Sequence, residues 1–362
     1  MSQEVLDLLE QAGRMSEGPA QISLCEEAVR VADAKGDDEH KLVARLELVK
    51  AAAFGGAPDR AMVTFSWCLA KYDADPEEYH LYSYDLMWQF KWIMDHICDF
   101  PNVPKDKIRQ LEDDMERHYR IEDYGMRAVH QIRWVNALGM GDLNRFQEFW
   151  DKWYDTQRDD MADCLACEQN KRVEAAIAQL DYEQAVEYAN PIFTGRMSCA
   201  EIPQKTYATV MPALIKLGRL REASEYHEKG YRLIRKNPVY LADIAGHLLY
   251  LTHVDSFVKG LNMVERHLPW AIDSSNKYWQ FELFSTASLL VEVMSQETAK
   301  PKKLKLPQEL SCYREDATYE LPEVAKCLSE KTSEIKAIFN ERNGNDHFTK
   351  LRASYRDLVI TS

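Results

Sequence analysis

Residues 204–237 read QKTYATVMPALIKLGRLREASEYHEKGYRLIRKN, two helical segments joined by a tight turn. Tyr207, Val210 and Leu214 recur at the three-to-four-residue spacing of a single helix face. The turn Leu217-Gly218-Arg219-Leu220 interrupts that face, and a second helical segment then runs to Pro238, which cannot continue it. Outward from here the same 3.6-residue period covers almost the whole chain, while strand-like alternation is nearly absent. Turn signals recur at short intervals and cut the sequence into helices of roughly 12–18 residues. The expected class is all-α. With 14 Gly and 13 Pro in 362 residues, long uninterrupted helices are available, and 46% apolar residues are enough to fill a large core.

The helix–turn–helix of 204–237 resembles a tetratricopeptide repeat. The resemblance implies that Gly218 is the small turn residue and that Ala223 sits where the two helices cross, too close for a larger side chain. Four further stretches carry the arrangement less perfectly: GGAPDRAMVTF at 55–65, MGDLNRF at 140–146, LDYEQAVEYA at 180–189 and HVDSFVKGLNMV at 253–264. Ala61, Phe146, Ala185, Ala223 and Gly260 then mark the second helices of five pairs. The intervals after Phe146 are 39, 38 and 37 residues, against a family period of about 34, which implies slightly long linkers. The 85 residues between Ala61 and Phe146 leave room for one more pair, Glu77–Cys98 and Lys105–Arg120, split by DFPNVP. Phe146 departs from the small-residue pattern and implies a wider crossing.

The resemblance covers about 40–270 and implies a right-handed α-solenoid of helix pairs with helical caps at both ends. The expected domains are a hairpin cap over 1–39, broken at Gly18-Pro19; the repeat array over 40–270; and a C-terminal cap over 271–362. That last cap reads as an apolar helix at 277–295, a flexible loop at 296–322, and two amphipathic helices, 323–342 and 348–359, joined by Asn343-Gly344-Asn345-Asp346.

A formal net charge of −14 argues against general nucleic-acid binding and against adhesion to anionic membranes. The first residues lack a basic region followed by an apolar one, and no run of 18 apolar residues occurs, so a cytoplasmic location is expected. In a reducing compartment most of the 8 cysteines should be small buried hydrophobes.

The sharpest local feature is Asp163-Cys164-Leu165-Ala166-Cys167. Cys199 follows Cys164 by 35 residues and Cys167 by 32, close to one repeat, so stacked repeats bring Cys164, Cys167 and Cys199 together. A structural zinc site takes four ligands; Asp160, Asp163, Glu201 and His130 are candidates for the fourth. Buried structural thiols, zinc and a reversible disulfide all remain open readings. DCLAC followed by GRMSCAEIP is similar to bacterial tetratricopeptide proteins with a Cys-pair variant repeat, a resemblance that implies no role for the thiols. Thioredoxin-like chemistry would need a preceding strand. No GxxxxGK[ST], GxGxxG or HExxH occurs. His227, His247, His253 and His267 fall on different helices, and Glu112-Asp113-Asp114 reads as a solvated face. The expectation is a protein that is not an enzyme. Lys302, Lys303 and Lys305, between Pro301 and Pro307, read as a surface loop.

In the resembled family the first helices line a concave groove. The inward positions are Gln131, Asn170, Lys171, Lys205, Lys216 and His253, a polar and mildly basic stripe that does not reproduce the family's carboxylate clamp. Trp134, Trp150 and Trp153 read as core. The expected function is a non-enzymatic scaffold or adaptor whose groove binds a protein or peptide, with no resident cofactor unless zinc occupies the cysteines. A peptide-sensing regulator of the bacterial tetratricopeptide kind, and a metal- or thiol-dependent activity at the cysteines, are the alternatives.

Overall fold

The computed structural model describes residues 3–36 and 38–360; Met1, Ser2, Asp37, Thr361 and Ser362, which belong to the two expected caps, lie outside the described residues. The chain is all-α apart from one two-residue hairpin among the described residues. It divides into two compact units, Met1–Ala162 and Asp163–Ser362. The division falls inside the stretch expected to be one repeat array. Its physical basis is the irregular segment 156–164, on either side of which separate cores form.

The first unit comprises α1 (Gln3–Gly13), α2 (Pro19–Lys35), α3 (Asp38–Phe54), α4 (Pro58–Ala74), α5 (Ser83–His96), α6 (Lys105–Ile121), α7 (Arg127–Gly139) and α8 (Leu143–Asp155). The helical pair expected between Ala61 and Phe146 is present as α5 and α6. Its first helix begins later than Glu77, because 77–82 form turns and a 3₁₀ segment. Neighbours in sequence pack together: α1 on α2, α2 on α3, α3 on α4 and α5, α5 on α6 and α7, α7 on α8.

The second unit comprises α9 (Leu165–Ala178), α10 (Tyr182–Phe193), α11 (Gln204–Thr209), α12 (Met211–Lys216), α13 (Leu220–Ile234), α14 (Leu241–His253), α15 (Phe257–Asp273), α16 (Lys277–Glu297), β1 (Lys302–Lys303), β2 (Thr318–Tyr319), α17 (Leu321–Asn343) and α18 (His347–Val359). α9, α11 with α12, α14 and α16 pack on one another in order, each also touching the helix that follows it. β1 and β2 pair antiparallel, Lys302 opposite Tyr319. The segment read as a flexible loop thus carries structure, and Leu304, Leu306, Leu310 and Tyr319 in it are buried.

Eight turns among the described residues share one geometry, and five of them precede the buried positions of the sequence register. Gly56, Gly141, Leu180, Gly218 and Asp255 all have positive φ, from 52° to 87°. The next residue donates its N–H to the carbonyl five positions back: Ala57 to Ala52, Asp142 to Ala137, Asp181 to Ala176, Arg219 to Leu214 and Ser256 to Leu251. This left-handed cap satisfies the last carbonyls of one helix and reverses the chain into the next. Five residues past each turn lie Ala61, Phe146, Ala185, Ala223 and Gly260, all buried, as the sequence register requires. At Gly260 an added Cβ would stand 2.0 Å from Leu290 Cδ1, so a side chain there would have to displace the Leu290 side chain of α16. Phe146 is accommodated by aromatic packing instead: its ring centroid is 5.9 Å from Trp134 and 6.4 Å from Trp150. Trp134 and Trp153 are fully buried. No helix among the described residues is long and apolar enough to cross a membrane.

Candidate functional site

The three cysteines converge. Cys164 is the N-cap of α9, and its Sγ accepts the backbone N–H of Cys167 at 3.4 Å. Cys199 lies in the turn before α11 and donates its N–H to the Ile202 carbonyl at 3.0 Å. All three Sγ atoms lie within 4.8 Å of one another, and Cys167 and Cys199 are 3.5 Å apart. Buried Ala166, Ile192 and Ile202 form an apolar wall with Met197 and Phe193 packed on it, while Cys164 is exposed. Burial pushes the Cys167 thiol up, and the neighbouring thiols push it the same way. Among the described residues no His, Asp or Glu completes the group. Glu201 pairs with Lys205 at 2.7 Å. His130 packs on Phe149, ring centroids 6.0 Å apart, and burial holds its imidazole down to about 4.

The other cysteines divide. Cys25, Cys68 and Cys98 are buried, and burial pushes Cys25 to about 11 and Cys68 to about 12. Cys312 and Cys327 form a second thiol contact absent from the sequence reading. The Cys312 thiol hydrogen-bonds Cys327 and lowers it, and Ser311 Oγ sits 3.3 Å from Cys327 Sγ.

The six stripe residues have three kinds of environment. Gln131 is buried in the first unit. Asn170 is buried in the second, where its Oδ1 accepts from Thr206 Oγ1 at 2.7 Å and its Nδ2 donates to Glu174 at 2.8 Å, tying α9 to α11. Lys171 and Lys205 are each ion-paired within one turn, to Glu174 at 3.3 Å and Glu201 at 2.7 Å. Asp243 joins this patch; burial pushes its carboxyl up to about 7, against the pull of Lys205. The patch is therefore mixed in charge rather than basic. Lys216 donates to the Asp357 carbonyl at 3.4 Å and His253 Nδ1 meets the Leu358 carbonyl at 2.8 Å. The chain's own α18 thus meets the last two positions with its C-terminal carbonyls, Lys216 staying exposed, and cationic or donor groups at a helix C-terminus complement those carbonyls.

Glu112 corrects another expectation. It is fully buried, accepting from Arg145 at 2.6 Å and Asn136 at 3.0 Å, and burial raises its carboxyl. Only Asp113 is solvent-exposed in that run, with Asp114 intermediate.

The first unit holds a surface that the sequence reading missed. α3 and α5 enclose a cleft of ≈ 410 Å³ whose lining includes Glu47, Lys50, Asp85, Trp88 and Trp92. Tyr84, Trp88 and Trp92 stand four residues apart along α5, each ring centroid 6.4 Å from the next. Phe54 extends the row beyond Trp92 at 4.9 Å and Tyr124 beyond Tyr84 at 6.4 Å. Trp88 and Trp92 are half-buried and Tyr84 is 44% exposed. The buried Lys91 fixes Trp88: its Nζ lies 3.4 Å from the ring centroid and donates to the Met161 carbonyl at 2.7 Å. Aromatic residues at i, i+4 and i+8 were the available signal, one that also fits a core face. No family model and no curated protein matches the chain, so the reading of these sites rests on their own geometry.

Proposed function

We propose that the protein is a non-enzymatic binding scaffold: the helix pairs of each unit stack as in a tetratricopeptide-type α-solenoid, and the cleft between α3 and α5 takes a segment of a partner protein. The observation that carries this reading is the pair of half-buried indoles, Trp88 and Trp92, that line the cleft, with Tyr84 beside them along α5. Rigid aromatic side chains left accessible in a concave surface are the usual anchors of protein recognition, because they offer large contact area at little entropic cost. Glu47, Lys50 and Asp85 line the cleft, and the excess of carboxylate beside the indole faces favours a segment that sets an apolar residue beside Arg or Lys. Further support comes from how the buried polar groups of the interior are used: Glu112 and Asn170 brace helices against one another.

The test is a titration with synthetic peptides of about ten residues that place Leu beside Arg. Trp88→Ala with Trp92→Ala should weaken binding by roughly 30-fold, the factor that corresponds to about 2 kcal/mol for lost anchors. Circular dichroism should be unchanged. Equal affinity in the double variant, or no binding to the wild-type chain, would refute the reading.

A further inference from the structure

We propose that Cys164, Cys167 and Cys199 form a zinc site with its fourth position open to solvent. The argument is geometric and is independent of what the α3–α5 cleft binds. Tetrahedral zinc with sulfur at about 2.3 Å sets its ligands about 3.8 Å apart. Cys167 and Cys199 Sγ are already 3.5 Å apart, and all three sulfurs fall within 4.8 Å. That is coordination spacing; a disulfide would need sulfurs at about 2.05 Å.

Three features of the surroundings suit a bound cation. Two segments 32 residues apart in sequence, 164–167 and the turn at 199, converge on one point. The Cys167 N–H aimed at Cys164 Sγ is the type of outer hydrogen bond that steadies a metal-bound thiolate, and the N-terminus of α9 favours negative charge there. Ala166, Ile192 and Ile202 wall one side of the group with apolar side chains, so thiolates gathered there gain from a cation. A divalent ion supplies the compensating charge.

Thiolate donors select zinc, copper(I) or iron–sulfur clusters among the common metals. Three thiolates and a free tetrahedral position fit zinc with a water as fourth ligand. The exposed Cys164 leaves the way in. On binding, three S–H bonds break, three Zn–S bonds form and three protons pass to solvent; no electrons move.

The experiment uses the full chain, stripped of metal under reducing conditions and titrated with Zn²⁺ against a chromophoric chelator. Cobalt(II) then serves as a spectroscopic stand-in. The expected result is about one zinc per chain, a tetrahedral cobalt spectrum with sulfur-to-metal charge transfer, and at least ~100-fold weaker binding in Cys164→Ser. Cys312→Ser should bind as the wild type does. Cys199→Ser gives the same reading; should it fail to fold, Cys164→Ser on an exposed thiol still decides. Less than about 0.2 zinc per chain at saturation, wild-type affinity in Cys164→Ser, or a Cys167–Cys199 disulfide in protein isolated with its thiols blocked would each overturn the proposal.

Discussion

The recurring left-handed turn makes a paired prediction of opposite sign. Gly218 and Leu180 occupy the same turn position, at φ 66° and 61°. No atom lies within 4 Å of a Cβ added at Gly218, so Gly218→Ala introduces no clash and only places a side-chain-bearing residue in the left-handed region. That conformation costs about 1–2 kcal/mol, and the stiffer unfolded chain returns about 0.4–1, leaving a net loss near 1 kcal/mol. Leu180→Gly reverses the terms. Leu180 is 70% exposed, so little packing is lost, and a gain of up to about 1 kcal/mol is expected. For a unit of this size that corresponds to melting shifts of roughly 2–4 °C, downward for Gly218→Ala and upward for Leu180→Gly. Differential scanning calorimetry with urea titration reads both. A stabilising Gly218→Ala, or shifts of the same sign in the two variants, would refute the claim that one turn geometry recurs.

Phe146→Ala should cost about 3–5 kcal/mol even though alanine is the residue at three of the equivalent positions, because Trp134 and Trp150 are packed around the ring; a urea midpoint near the wild-type value would contradict this. His227, His247 and His267 should make the second unit acid-sensitive. Burial holds His227 to about 4 and His267 to about 3 and lowers His247 well below its usual value, with Lys259 and Arg266 as the nearby cations acting on His227 and His267. The native state keeps them neutral while the unfolded chain protonates near 6.5, so their stabilising contribution is full above about pH 6.5 and falls as pH drops toward 4. The expected slope is up to about 1.4 kcal/mol per pH unit per histidine. His247→Phe should remove about a third of it, and an unchanged slope between pH 7 and 5 would count against the account.

Much of the fold was legible because turns and crossings are local. Gly56, Gly141 and Gly218 announce their conformation, and the spacing to Ala61, Phe146 and Ala223 follows from the helix period. Leu180 and Asp255 take the same conformation although neither is a glycine, so residue type there does not announce it. The cysteine cluster was legible for the same reason: a period of roughly one repeat brings 164, 167 and 199 together. The groove stripe was not. Whether Lys171 and Lys205 are free or paired depends on Glu174 and Glu201 side chains, and nothing near Lys216 or His253 in sequence foretells α18, over a hundred residues away. The row Tyr84, Trp88, Trp92 has the period of a buried face, and only the packing of α3 and α5 shows that part of it stays open. Glu112 looked solvated because its partners Asn136 and Arg145 come from α7 and α8.

The α3–α5 cleft is proposed to take a cationic, apolar protein segment. Exchanging the Glu47 and Asp85 charges tests this. The Kd of the Leu-Arg peptide and of its Leu-Glu counterpart is measured for the wild-type chain and for Glu47→Lys with Asp85→Lys. The predicted result is a reversal: the wild type prefers the Arg peptide, and the variant prefers the Glu peptide by about tenfold, with Trp88 fluorescence responding in both cases. An unaltered preference in the charge-reversed chain would contradict the claim.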